Sequence, residues 1–281
     1  MANLEAIVGN NQLMSAIKIM DDEFTCLAPN YEGIDPDDGF STVPYEKGYQ
    51  FLIFMENLVG KDHFRNIMRI YIKEFRYKSV DYKAFKGVFE KYVNEKFDKN
   101  KAKNIIDNID WEKWLYEKGI PSYKNNFSSK LADDAIKLAE DFLNGTENKD
   151  EALKIFKEWH TNVKLHFMNY LLEKKDNFDI EFVKKLKNEL NLAECYNAEI
   201  KYMWYLLALD KNLEEEIPNV KKFLESIGRL KYIRPVYFAW MDKNFEQAKE
   251  FFDKNKNIYH PYARRMIQDK FNSKVNSEKK A

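Results

Sequence analysis

Along most of this chain apolar residues recur at intervals of three and four, the spacing of one face of an α-helix. The first such stretch, "NLEAIVGNNQLMSAIKIMDDEF", gives way to "CLAPNYEGIDPDDGF", whose Pro, Gly and Asp residues predict a structured loop. Helical pieces are then predicted over 44–59, roughly 61–76 and 81–96, and through "KNIIDNIDWEKWLYEKGIPSY". Ser41 and Thr42 are good capping residues, and Pro44 suits the first helical position. Behind them "YQFLIFMENLV" is apolar nearly all round, so this helix belongs deep in a core.

The polar stretch "GIPSYKNNFSS", 119–129, is the best domain boundary, dividing the chain into 1–126 and 127–281. Beyond it the periodicity predicts helices over 129–144, 150–162, 163–174, 180–190, 197–211, 217–228, 245–256 and 260–271. The turns between them are short, which makes neighbours antiparallel, as in stacked helical hairpins. The expected fold is all-α, with an armadillo- or HEAT-like solenoid in the second part. It is a solenoid by shape only, since no fixed-period repeat is present. The tail "NSKVNSEKKA" should be loose.

Composition narrows the function classes. Lys plus Arg and Asp plus Glu both number 46, so there is no net positive charge to displace counterions from nucleic acid. Two cysteines, Cys26 and Cys195, make neither a disulfide framework nor a metal knuckle, and read as reduced thiols. No 18-residue apolar run predicts a membrane span. The start "MANLEAIVGNNQLM" lacks the basic opening and cleavage pattern of a signal peptide, so a cytoplasmic location is expected.

Candidate chemistry is sparse. None of His63, His160, His166 and His260 pairs with another at the i, i+4 spacing that puts two imidazoles around zinc. There is no Gly-x-Ser-x-Gly elbow and no Gly-rich phosphate loop. "IDPDD", 34–38, packs three aspartates into a loop just before the apolar helix, where they are exposed, capping or functional. Tyr45 stands at the mouth of that helix; a phenol there usually packs its ring and bonds a backbone carbonyl. "GRLKYIRPVY", 228–237, alternates Arg229, Lys231 and Arg234 with apolar residues. It reads either as a solvated face or as an anion-binding edge.

Taken in order, "IDPDDGFSTVPYEKG", "FRYKSVDYKAF", "DWEKWLYEKGIPSY", "NAEIKYMW", "GRLKYIRPVY" and "HPYARRMI" resemble the C-terminal half of leukotriene A4 hydrolase and its zinc aminopeptidase relatives. The similarity runs from about residue 4 to residue 271. It implies the helical end of a thermolysin-like catalytic domain, 1–126, followed by the family's helical C-terminal domain, 127–281. In the family, peptide hydrolysis uses a zinc-bound water, a glutamate base and a tyrosine that supports the developing oxyanion; Tyr45 matches that tyrosine. Arg229 matches the arginine that grips a substrate carboxylate, and Lys231 the lysine that assists it. Asp37 matches the aspartate associated with epoxide hydrolysis. Phe40 stands where the leukotriene-forming enzymes carry a second tyrosine, so aminopeptidase work on short peptides or other carboxylate-bearing substrates is the implied activity.

The family's His-Glu-x-x-His and Gly-x-Met-Glu-Asn motifs do not occur in these residues, and the Asn-Glu pairs in "NEK", 94–96, and "NEL", 188–190, lie downstream of Tyr45, the wrong side for the family's later zinc ligand. "IFMEN", 53–57, shares only the last three letters of Gly-x-Met-Glu-Asn, at the wrong position. The chain is therefore expected to begin shortly after the last zinc ligand and to hold no metal or cofactor of its own, zinc belonging to the intact enzyme. Alone it is expected to be inactive, and to work only with a zinc-bearing N-terminal half. The competing reading is a stand-alone, non-catalytic helical-repeat module that binds proteins or carboxylate peptides.

Overall fold

The structure, a computed structural model, describes residues 2–278, apart from the side chains of Ile19, Asp37, Asp38 and 276–278. Among the described residues there are helices and no strand. They form two compact units, 2–128 and 129–278.

The N-terminal unit holds α1 (Ala2–Ile19), α2 (Val43–Val59), α3 (Lys61–Glu74), α4 (Tyr82–Lys96), α5 (Lys99–Asp107) and α6 (Trp111–Tyr116). Each of α1 to α4 packs on the next. Asp81, Asp98 and Asp110 open α4, α5 and α6 by accepting hydrogen bonds from first-turn N–H groups. Gly60 joins α2 to α3 at φ +86°, a conformation that favours glycine. The core gathers on α2: Phe51 stacks on Trp114 at 4.8 Å and meets Trp111 edge-on at 5.2 Å. Of the residues of α2, Pro44, Tyr45 and Asn57 are exposed, as its apolar pattern predicts for a core helix. Its cap differs from the prediction. Thr42 makes no side-chain cap; Ser41 Oγ accepts from Val43 N instead, and Pro44 is the second helical residue.

The C-terminal unit is a two-layer stack. Helices α7 (Lys130–Asn144), α9 (Thr161–Glu173), α11 (Ala198–Asp210), α13 (Leu230–Lys243) and α15 (Pro261–Glu278) pack side by side in chain order. Helices α8 (Lys149–Glu158), α10 (Ile180–Glu189), α12 (Ile217–Ser226) and α14 (Phe245–Asn255) alternate with them. The sequence explains the layers. The four even-numbered helices are apolar on one stripe, whereas α9 and α11 bury residues nearly all round.

Two expectations are corrected in this unit. The segment "RLKYIRPVYFAWMDK" enters α13, a full helix with Pro235 inside it. A proline has no N–H for the carbonyl four residues back, which is why a helix is hard to read there. The tail is not loose as far as it is described, because α15 runs on to Glu278. Lys274 Nζ ties it back to Met241 O at 3.0 Å and Asp242 Oδ1 at 2.9 Å.

Candidate functional site

Tyr45 sits in the first turn of α2 with its side chain 63 % exposed. No hydrogen bond occupies its hydroxyl among the described residues, so it does not make the carbonyl contact usual for a phenol at a helix start. What is fixed is the backbone beneath it. Lys47, two residues on, is fully buried, and its ammonium donates to Thr25 O at 3.1 Å, Glu117 O at 2.5 Å and Gly119 O at 2.9 Å. Three donors meet three carbonyls, which is what makes a buried lysine tolerable. Burial pulls its pKa down, and the nearby Cys26 and Glu117 oppose that. The same joint is closed by Thr25 Oγ1, which donates to Asp22 O at 2.6 Å and accepts from Gly119 N at 2.8 Å. The start of α2 is thereby fastened to the loops before it and after α6.

Glu46, beside Tyr45, turns its carboxylate toward α1. A Cβ on Gly9 would come within 1.9 Å of Glu46 Oε2, so glycine there leaves room for it. Burial holds the Glu46 carboxyl above the usual carboxylate range. The backbone of Asp37 lies in the 3-10 turn Pro36–Gly39, and its side chain is outside the described residues. Phe40 is 72 % exposed.

The second constellation lies in the C-terminal unit. Arg229 is the N-cap residue of α13, and the N–H groups of Tyr232 and Ile233 bond back to its carbonyl. Its guanidinium lies 5.6 Å from the centre of the Tyr232 ring, in cation–π range. Lys231 does not stand free beside it: its Nζ donates to both oxygens of Glu199, at 2.7 and 2.8 Å. Tyr232 donates its hydroxyl to Glu199 Oε1 at 2.8 Å. Glu199 is placed by Asn197, which accepts from Glu199 N at 2.9 Å and caps α11. A carboxylate in the first turn also suits the positive end of that helix.

The surrounding phenols remain protonated. Burial, followed by the Glu199 charge, pushes Tyr202 up to about 12. Burial, then the bond to Glu199, raises Tyr232 as well. Arg234 is half-buried on the same helix, one turn beyond Lys231.

The structure brings Arg229 and Lys231 together and adds Glu199 and Tyr232; Tyr45 and Asp37 belong to the other unit. Sequence reasoning missed Glu199, although it stands in the quoted "NAEIKYMW", and missed Lys47, although it follows Tyr45 by two. Two concavities, about 540 Å³ between α7 and α8 and about 670 Å³ along α3, are lined by neither constellation.

No group of three His, Cys, Asp or Glu among the described residues converges to hold a metal ion, so the residues present do not fit a zinc centre. The histidines have local contacts instead. His63 Nδ1 lies 3.1 Å from Tyr92 OH, and His160 and His260 accept from backbone N–H groups at helix starts. His166 is buried inside α9. Cys26 and Cys195 are free thiols, and no described helix is long and apolar enough to cross a membrane.

Comparison with known proteins gives two family matches: residues 10–114 match the peptidase family M1 domain, and residues 159–271 match leukotriene A4 hydrolase, C-terminal. Leucine aminopeptidase 2 of Yarrowia lipolytica is 34 % identical over 280 residues, covering 94 % of this chain and 42 % of the relative. The protein of the same name from Ajellomyces capsulatus is 33 % identical, covering 97 % and 44 %. Among solved structures, yeast LTA4 hydrolase in complex with bestatin superposes with a TM-score of 0.84 at 28 % identity, over 96 % of this chain and 46 % of that one. Native leukotriene A4 hydrolase from Saccharomyces cerevisiae gives 0.80 at 27 %, with the same coverage. The chain therefore spans less than half the length of the relatives it matches.

Proposed function

Because the chain belongs to the leukotriene A4 hydrolase and M1 aminopeptidase family, we propose that it is the C-terminal portion of such an aminopeptidase. In this reading it supplies a transition-state tyrosine and a carboxylate grip, works in the cytoplasm, and acts on short peptides. Tyr45 donates a hydrogen bond from its hydroxyl to the oxyanion that forms as the scissile carbonyl is attacked. A neutral phenol is a good donor at pH 7, and it stabilises a charge that exists only in the transition state. Arg229 holds the substrate's carboxylate through two parallel N–H bonds, with Lys231 beside it. Phe40 in place of a second tyrosine favours peptide over epoxide chemistry, and Asp37 keeps its epoxide-directing role only as the weaker part of this reading.

The observation that carries the proposal is the combination at α2: an exposed, uncommitted phenol on a helix start fastened by a fully buried lysine. The 281 residues contain no His-Glu-x-x-His, so the chain by itself should not hydrolyse an alanyl anilide. Produced together with a zinc-bearing M1 segment it should do so, and Tyr45→Phe should then lower kcat about 100- to 1000-fold with little change in KM. Stoichiometric zinc and turnover in the 281-residue chain alone would overturn the reading. A monomer that no zinc-bearing segment activates would favour the helical binding module.

A further inference from the structure

We infer that Glu199 is an internal counter-ion that cancels Lys231, so that the carboxylate site presents one net positive charge, on Arg229, and accepts one carboxylate at a time. This inference rests on the proposed reading of Arg229 and Lys231 as a carboxylate grip, and changes the part each plays. Lys231 Nζ directs two of its three N–H bonds at the two oxygens of Glu199, at 2.7 and 2.8 Å, the lengths of charge-assisted bonds. Tyr232 adds a third bond to the same carboxylate. Both partners are partly shielded, with side-chain exposures of 38 % for Lys231 and 23 % for Glu199.

Arg229 differs. It is exposed, it has no carboxylate within 4 Å among the described residues, and its planar head lies over the Tyr232 ring rather than against an acid. One Arg and one Lys against one Glu leave a single positive charge. A monocarboxylate neutralises that charge through the guanidinium fork. A second carboxylate on the ligand would meet Glu199 and be repelled. Glu199 therefore acts as a specificity-determining residue, weakening the site for anions in general and discriminating against dianions.

The test uses the 281-residue chain and two probes, trialanine with a free C-terminal carboxylate and its C-terminal amide, titrated by NMR. The wild type should prefer the acid, and Arg229→Ala should abolish that preference. Glu199→Gln keeps an acceptor for Lys231 and Tyr232 but removes the charge. It should tighten the acid about tenfold (~1.4 kcal/mol), leaving the amide unchanged. Lys231→Met leaves the Glu199 charge uncompensated and should weaken the acid, and the double variant should return to within about threefold of wild type. The acid-to-amide ratio cancels any general loss of folded protein. An acid preference that needs Arg229 but is unmoved or reduced in Glu199→Gln overturns the role of Glu199 and leaves the carboxylate grip standing. Equal affinity for acid and amide in both wild type and Glu199→Gln overturns the grip itself, and the counter-ion with it.

Discussion

The two units hold their candidate groups in opposite ways. In the N-terminal unit the positive charge near Tyr45, on Lys47, is wholly buried and satisfied by neutral backbone carbonyls, and the phenol hydroxyl has no hydrogen bond among the described residues. In the C-terminal unit the cations are at the surface, and a carboxylate from another helix balances one of them. The first arrangement fixes position and is insensitive to salt; the second sets charge and responds to salt. A donor for a transition state needs the former, and a binding grip that must release its ligand needs the latter.

The largest effect expected is at Lys47. Lys47→Met removes the ammonium and strands three carbonyls, and should cost about 3–5 kcal/mol of stability in the N-terminal unit. Hydrogen exchange reads that unit separately from the other, and a loss below about 1 kcal/mol would mean that the joint contributes little to stability.

Acid should separate the units next. Glu46 has its folded pKa raised above 4.5 by burial. Between 4.5 and that folded value the folded state binds the extra proton, so stability falls as pH rises through this window and stays lower above it. His166 in the C-terminal unit has neither ring nitrogen hydrogen-bonded, and burial lowers its pKa below 6.5. There the unfolded chain takes the proton first, so stability falls as pH drops through 6.5 toward the folded value. Denaturation series across pH should show Glu46→Gln more stable than wild type at pH 7, and His166→Gln with a flatter acid limb. Parallel pH curves for variant and wild type would refute the corresponding assignment.

The smallest effect should be at Tyr45 itself. Its exposed ring and free hydroxyl predict that Tyr45→Phe changes stability by less than about 0.5 kcal/mol. A larger loss in a melting curve would mean that the phenol has a structural partner.

These contrasts also mark what could be read from the chain. The helices with clean three-and-four spacing, such as α7 and α12, were legible because their periodicity reports burial directly. Helix α13 was hidden by Pro235 inside it. Glu199 and Lys231 lie on different helices, 32 residues apart, so no local pattern links them. Lys47 was passed over for a different reason: lysines are almost never fully buried, and only its three carbonyl partners make this one an exception. Tyr45 and Arg229 came from the resemblance. Their environments, an open phenol and a guanidinium beside a neutralised lysine, are set by the fold.

The joint at Lys47 also has a bearing on time. Its three bonds reach 22, 70 and 72 residues along the chain, so two of them require a long loop to close and an ammonium to shed its water before they form. Such contacts form after the folding transition state and are already broken at the unfolding one. Lys47→Met should therefore leave the refolding rate of this unit nearly unchanged and accelerate its unfolding, which stopped-flow chevrons would resolve. In the intact protein the joint acts as a latch on the lifetime of the folded unit, setting how long the phenol keeps its place once the chain has found it.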